Sequence, residues 1–407
     1  MVADPAAGRQ MAGFKDFYQF TAPARVLAGR DLLASAGFEF AKEGARRVLV
    51  VTDQMVRATG LADRVLEGLA DGGLEAAAVF DSVPPDSDTG AVAAIAALAR
   101  EQGADSFLAI GGGSVIDSAK AADVVFTHGG APRDWEGYHG LPRADDGIGA
   151  AIPLAPLAAV PTTAGTGSEV SFAAVVRDRG ARVKFQIGDF TLIPRLAILD
   201  PAATATLPAA VAAASGIDAL AHAIEGYVSR DWSAHGDAHA LHALRLIAAN
   251  LERAVHDPGD ETARGNMLIA ASLAITPIMA GALGIAHSLA HPCGALHDVP
   301  HGVAIAISLP AAIEYNAAAG EDVAARYCDI GAVLGVDAGV AEIGPALAAQ
   351  ARALAASLGL PGRLSAVGVA ENSIAELVAG AIGDACTIVN PREPTAAEIE
   401  ALYRSVL

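Results

Sequence analysis

The chain has 407 residues, 53% hydrophobic and 18% charged, which fits a well-buried globular protein and excludes a disordered one. Its 27 Lys+Arg against 46 Asp+Glu leave a formal net charge of −19, a surface that repels nucleic acid and anionic membrane, so neither is expected as a partner. Cys293, Cys328 and Cys386 are too few and too scattered for a disulfide framework and fit a reducing cytoplasm.

The length exceeds one ordinary core, so two domains are expected. The opening MVADPAAGRQMAGF lacks the apolar run of a signal peptide. Residues 47–53 (RVLVVTD) form a β-branched run that ends in an acid; 61–72 have helical spacing. Residues 76–80 give a second strand, 91–102 a second helix and 106–110 a third strand. Gly111-Gly112-Gly113-Ser114 follows at once and leads into the helical SVIDSAKAADVVF. Strands alternating with helices of this length imply βαβ units and a parallel sheet. Residues 128–149 read as an irregular loop. Residues 158–160 and 196–199 supply further strands, and 172–177 with 182–187 form a hairpin across Asp178-Arg179-Gly180. Beyond about residue 201 strand-like runs nearly vanish and Ala-rich helical spacing takes over, which places a domain boundary near residue 205. Residues 267–286 carry no charge, but Ser272, Thr276 and Pro277 interrupt them, so they read as buried helices and not as a membrane span.

Chemistry concentrates in six places. The strand–GGGS–helix unit is a phosphate cradle, because glycine lets backbone approach a pyrophosphate and the helix N-terminus offers free N–H groups. Ser114 can cap that helix, with Asp117 completing a capping box. The pattern is not G-x-G-x-x-G and follows the third strand, so it departs from the standard Rossmann arrangement. Asp53 can accept from a ribose 2′-hydroxyl and would repel a 2′-phosphate, which favours NAD over NADP; a plain helix cap is the alternative. Residues 161–169 (PTTAGTGSE) form a second hydroxyl-rich turn in which Thr162, Thr163 and Thr166 can bond phosphate, ribose or carboxamide, or simply their own backbone. Lys184, inside the hairpin, can reach a ribose or phosphate.

The last two places hold metal-type donors. Asp218 and His222, spaced i, i+4 in SGIDALAHAIEG, share one face of an otherwise apolar helix, where two polar groups need partners. Gly284–Gly302 (GIAHSLAHPCGALHDVPHG) adds His287, His291, His297 and His301. Pro292 suggests a helix boundary or kink there, and Pro300 places His301 on a turn. Asp218, His222, His287 and His301 together form the expected ligand set; imidazole-rich mixed N/O donors suit Fe(II) and also Zn(II). A separate group, His235, His239 and His242, reads as a solvent-facing helix.

The combination GGGSVIDSAK, PTTAGTGSE, GIDALAHAIEGY, HSLAHPCGALHDVPHG and the terminal NPRE resembles the iron-containing (group III) alcohol dehydrogenase family, from about residue 18 to the C-terminus. The resemblance implies an α/β dinucleotide-binding domain over 1–205, with a parallel sheet of non-standard Rossmann type, and an all-α metal-binding domain over 206–407, a dehydroquinate synthase-like fold. It implies Fe(II) on Asp218, His222, His287 and His301, NAD against Asp53, Gly112, Gly113, Ser114, Thr162, Thr163 and Lys184, and His291 beside the substrate as proton relay. Such an ion activates an alcohol, or polarises an aldehyde as a Lewis acid, while the nicotinamide carries the hydride.

A cytoplasmic homo-oligomer, a dimer, acting on a small primary alcohol and its aldehyde is expected. At pocket positions where relatives acting on lactaldehyde and propanediol carry Asn, this chain has Ala173 and Asp86, which favours a plainer alcohol. Those diol reactions, maleylacetate reduction and hydroxyacid–oxoacid transhydrogenation stay open within the family. The carboxylate reactions would need Arg133, Arg143 or Arg392 at the pocket. A dehydroquinate synthase-like lyase would need a Lys/Arg cluster near the metal, and none occurs around 218–227 or 284–302. A non-catalytic metal- or nucleotide-binding protein is the remaining alternative. Cys386 matches a cysteine near the family's pocket and Cys293 follows the metal helix; both are potential oxidation sites.

Overall fold

The structure is a computed structural model that describes residues 18–143, 151–280 and 283–407. The N-terminal MVADPAAGRQMAGF, part of the 128–149 segment and part of the uncharged 267–286 stretch lie outside those residues.

Nine strands and fourteen α-helices are described. The strands are β1 (Arg25–Ala28), β2 (Arg47–Val51), β3 (Glu75–Phe80), β4 (Ser106–Gly111), β5 (Gly137–Tyr138), β6 (Leu157–Pro161), β7 (Ala173–Asp178), β8 (Val183–Gly188) and β9 (Leu196–Leu199). Between them run α1 (Ala36–Ala41), α2 (Gln54–Ala58), α3 (Leu61–Asp71), α4 (Thr89–Glu101) and α5 (Gly113–His128). After β9 come α6 (Ala209–Val228), α7 (Ala234–His256), α8 (Glu261–Ile275), α9 (Ile285–His297), α10 (His301–Ala317), α11 (Glu321–Leu334), α12 (Ile343–Ser357), α13 (Ile374–Ile382) and α14 (Ala396–Val406).

Six strands form one parallel sheet in the order β1-β9-β6-β4-β2-β3. β4, β6 and β9 are buried along their whole length, as near-continuous apolar runs in a sheet covered on both faces must be. β1 escapes the sequence reading because RVLA is short and alternates half-buried with exposed positions at the sheet's edge. Its presence makes β4 the fourth strand, so the GGGS turn follows the fourth strand and not the third. The expected hairpin is β7–β8, antiparallel, with Arg182 at positive φ beside the turn. β5 joins β8 in a small second sheet that accounts for part of the segment read as loop.

From α6 onward the described residues form helices around one large apolar core. Two sequence expectations change here. Pro292 does not end a helix but lies inside α9, its ring packed toward Gly380 of α13. His301 is the first residue of α10, behind Pro300, and not part of a turn. Gly302 then matters sterically, since a Cβ there would fall 2.4 Å from the Ala214 carbonyl of α6. That contact lets α10 start hard against α6 and brings His301 to Asp218. The uncharged 267–286 stretch is cut by the end of α8 at Ile275 and a 3₁₀ turn holding Pro277. No helix among the described residues is long and apolar enough to cross a membrane.

Candidate active site

Three parallel strands end side by side and point their C-terminal turns at the helical half. β2 pairs with β4, and β4 with β6 through Gly111 opposite Pro161. Asp53, the Gly112–Ser114 turn and Thr162–Thr163 therefore lie along one edge, where open α/β sheets bind their ligands. Gly112 caps α5 in an extended conformation with no side-chain bond, which leaves first-turn N–H groups for a ligand. The turn has no room for a side chain: a Cβ on Gly113 would sit 2.7 Å from Thr166 Cγ2.

Several expected roles look different in place. Ser114 does not cap α5; its Oγ accepts the Asp86 N–H at 3.1 Å. Asp117 completes no capping box, because Oδ2 accepts from Val175 N–H at 2.9 Å while Oδ1 is buried without a hydrogen-bond partner. Asp53 Oδ1 accepts from Val56 N–H at 2.8 Å, so the carboxylate does serve as the N-cap of α2. Thr162 N–H is tied to Gly111 O at 3.0 Å, and Thr166 Oγ1 accepts from Ser168 N–H at 3.3 Å. Lys184 pairs with Asp86 at 2.8 Å beside the turn.

The four expected metal ligands converge. Asp218 Oδ1 lies 3.7 Å from His222 Nε2, 3.4 Å from His287 Nε2 and 3.4 Å from His301 Nε2. Asp218, His222 and His287 are buried, and Asp218 Oδ1 and His287 Nε2 have no hydrogen-bond partner. Unpaired polar atoms at that depth are costly, and a shared cation satisfies both. The outer bonds fix which nitrogens face inward. His222 Nδ1 contacts the Gly165 carbonyl at 3.2 Å, and His287 Nδ1 contacts Glu225 Oε2 at 2.5 Å. Glu225 Oε1 also accepts the Ala286 N–H at 2.7 Å. Such outer bonds orient ligating imidazoles.

Electrostatics agree with this fit. Burial pushes His222 down to about 4 despite the pull of Asp218, so its ring is neutral, the form that ligates. Burial also works on Asp218, upward, but the neighbouring imidazoles outweigh it and hold the carboxyl well below its usual range. Once the imidazoles take the neutral form that ligates, the Asp218 carboxylate is left with negative charge that a divalent ion balances. The N/N/N/O donors fit iron and zinc alike.

Above this cluster a cavity of about 180 Å³ runs from Asp218, His222, His287, His291 and His301 to Gly113 and Ser114. The PTTAGTGSE turn joins the two ends: it packs on the glycine turn at Thr166 and touches His222 through Gly165. His291 lies on the cavity wall with Nδ1 bonded to Asp384 Oδ2 at 2.6 Å. Burial raises the Asp384 carboxyl, but the His291 imidazole beside it wins and holds it far below its usual range. Asp86 and Ala173 also line the cavity.

Sequence reasoning missed Glu225 and Asp384. Glu225 had a usable signal, since 218, 222 and 225 fall on one face of α6. Asp384 had none, because its link to His291 spans 93 residues. Cations do reach the cavity, from β7 and β8 and not from the helices: Arg177 and Lys184 line it. Both are engaged, Arg177 with Asp298 at 2.6 Å and Lys184 with Asp86. Arg133, Arg143 and Arg392 are absent from the lining and pair with Glu136, Asp189 and Glu398. His235 contacts Tyr18 and Phe20, and His239 bonds Thr276 Oγ1 at 2.8 Å. Among the described residues that histidine group belongs to no metal-capable cluster.

A dinucleotide-type sheet facing a helical half, with a buried imidazole–carboxylate cluster in the cleft between them, is the build of a metal-dependent dehydrogenase. Residues 23–201 match the model of the iron-containing alcohol dehydrogenases, and residues 212–407 match that of the C-terminal part of the same family. The chain belongs to the iron-containing alcohol dehydrogenase family. It is 33% identical to the NAD-dependent methanol dehydrogenase of Bacillus methanolicus, over 95% of this chain and 99% of that one. It is 37% identical to the 1,3-propanediol dehydrogenase of Klebsiella pneumoniae, over 89% and 91%. The crystal structure of a 1,3-propanediol oxidoreductase superposes with a TM-score of 0.89 at 32% identity, covering 96% of this chain and all of that one.

Proposed function

We propose that this alcohol dehydrogenase interconverts a small primary alcohol and its aldehyde, with NAD as the hydride acceptor and Fe(II) held by Asp218, His222, His287 and His301. The observation that carries the reading is the pair of buried, partnerless atoms, Asp218 Oδ1 and His287 Nε2, at the floor of a cleft that leads to the glycine turn. A divalent ion held there would supply Lewis acidity toward the alcohol or aldehyde oxygen. The protein's own residues do the rest. Glu225 and Gly165 fix the imidazoles. The first turn of α5 and the PTTAGTGSE turn seat the dinucleotide, with Thr162 and Thr163 at its edge. With Nδ1 donating to Asp384, His291 keeps Nε2 to pass the hydroxyl proton toward solvent.

A plain alcohol is favoured over a diol because Ala173 offers no donor to a second hydroxyl. Carboxylate substrates are disfavoured because Arg177 and Lys184 already face Asp298 and Asp86. We also place the enzyme in the cytoplasm, a reading supported by its three free thiols, and propose that it works as a homodimer. The deciding experiment is a panel of primary alcohols, diols and hydroxyacids with NAD or NADP after anaerobic loading with Fe(II) or Zn(II). Steady NADH formation with simple alcohols is expected; turnover confined to hydroxyacids would sink the reading.

Asp53 tests the cofactor preference. Asp53→Ala removes a carboxylate that would repel a 2′-phosphate, so the NAD:NADP ratio of kcat/KM is expected to fall by about tenfold or more. The same change removes the α2 cap and costs about 1 kcal/mol of stability. An unchanged ratio with lowered stability would leave Asp53 as a helix cap only.

A further inference from the structure

The cleft holds a second set of metal-capable atoms, one of them on His291, the residue proposed above as the proton relay. One ligand atom each from His291, Asp384 and Cys386 lies within 4.8 Å of the others, apart from the cluster around Asp218. Asp384 already gathers the set. Its Oδ2 takes the His291 Nδ1–H at 2.6 Å and its Oδ1 takes the Cys386 backbone N–H at 2.8 Å. His291 comes from α9, while Asp384 caps the short 3₁₀ turn Ala385–Thr387 that carries Cys386. Cys386 is 2% exposed, yet it and His291 line the cavity wall. A cation entering from the cleft would therefore meet sulfur, nitrogen and oxygen donors on preformed supports, with a fourth position open to the cavity.

The donor types select the ion. Thiolate with imidazole and carboxylate suits a borderline-to-soft divalent ion and not Mg²⁺ or Ca²⁺, which demand oxygen ligands. We infer that His291, Asp384 and Cys386 form an inhibitory site for a thiophilic divalent cation such as Zn²⁺ or Cd²⁺, distinct from the four-residue centre. On binding, the Cys386 thiol gives its proton to solvent. The His291 ring proton moves from Nδ1 to Nε2, which frees Nδ1 as a ligand. The bound ion then fills the cleft wall and removes the proton relay. The inference rests on the proposed function only for that last consequence, the loss of turnover.

The test titrates iron-loaded enzyme anaerobically with Cd²⁺ and follows cadmium–thiolate charge-transfer absorption, equilibrium dialysis and turnover together. The four-residue centre contains no sulfur and cannot give the band, and the Cys386 substitutions separate the new site from Cys293 and Cys328. Wild type is expected to gain the band in step with one additional bound cation and to lose turnover in parallel. Cys386→Ala and Cys386→Ser are expected to lack the band and to bind that cation about 100-fold more weakly. His287→Ala, which disables the four-residue centre, is expected to keep the band. A band that survives both Cys386 substitutions, and so comes from Cys293 or Cys328, overturns the proposal, as does a wild type that shows none. Wild type that holds no iron yet keeps the Cys386-dependent band would instead refute the four-residue centre and leave this site standing.

Discussion

His287→Ala is expected to yield a folded enzyme that retains no iron and has lost at least about 10³-fold in kcat. His287 is the member of the cluster with most invested in it. Its Nε2 faces Asp218 at 3.4 Å with no other partner, and its Nδ1 is held by Glu225. Without an ion, burial pulls the His287 pKa down, but the two flanking carboxylates outweigh it and raise it to about 9. The ring thus carries the positive charge that a metal would otherwise bring. Removing the ring takes a ligand and leaves Asp218 and Glu225 facing each other with less between them. A metal contributes several kcal/mol to stabilising an oxyanionic transition state, which sets the expected rate loss. NAD affinity should stay within about threefold, because the glycine turn is on the other lobe and distant sites add nearly independently. Glu225→Gln gives the graded version: the ring keeps a partner but loses the charged one, and metal affinity should fall about 10–100-fold. Metal content by elemental analysis, NAD binding by fluorescence and single-turnover rates would be read on one preparation. Full turnover in His287→Ala would refute the proposed centre.

The convergence of Asp218, His222, His287 and His301 was legible in the sequence because their chemistry is concentrated. Asp218 and His222 are polar intrusions on an apolar helix, and the histidines crowd within nineteen residues. Local patterning likewise exposed β2, β4 and β9, which are largely buried apolar runs, and β3, whose residues are half-buried or exposed. Edge strand β1 was invisible because four half-exposed residues carry too little pattern. Pro292 left a boundary or a kink open on backbone chemistry alone; the structure rules out the boundary, since α9 runs through it and packs it against α13. Ser114 misled: its sequence suits a cap, but the structure spends its hydroxyl on Asp86 across a loop. Asp384 shows the general limit. A partner chosen by tertiary folding leaves no spacing to read.

Lys120→Met carries the second large expectation, a loss of about 3–5 kcal/mol in unfolding free energy. Lys120 is fully buried in α5, and its Nζ donates to Ser171 O at 2.7 Å, Ser171 Oγ at 3.0 Å and Ala173 O at 3.0 Å. Methionine fills similar volume but leaves two carbonyls without their donor and removes the cation beside Asp117 and Glu169. Burial pushes Lys120 down to about 8, Glu169 up to about 7 and Asp123 up to about 7, so these charges are held against strong desolvation. The pH dependence follows from the two acids. Their folded pKa exceeds the unfolded one, so between about 4 and 7 the native state binds more protons than the unfolded chain. Stability is greatest below that window and declines as pH rises through it. Without the Lys120 cation, Asp117 and Glu169 shift further upward and the decline extends to higher pH. The deficit of the variant, measured by urea denaturation, should therefore be larger at pH 8 than at pH 6. A deficit equal at both values would mean that the three hydrogen bonds, and not the charge, account for the lysine. Because Ser171 and Ala173 both line the cavity, turnover should drop with stability, and the loss should fall on KM for the alcohol more than on NAD affinity.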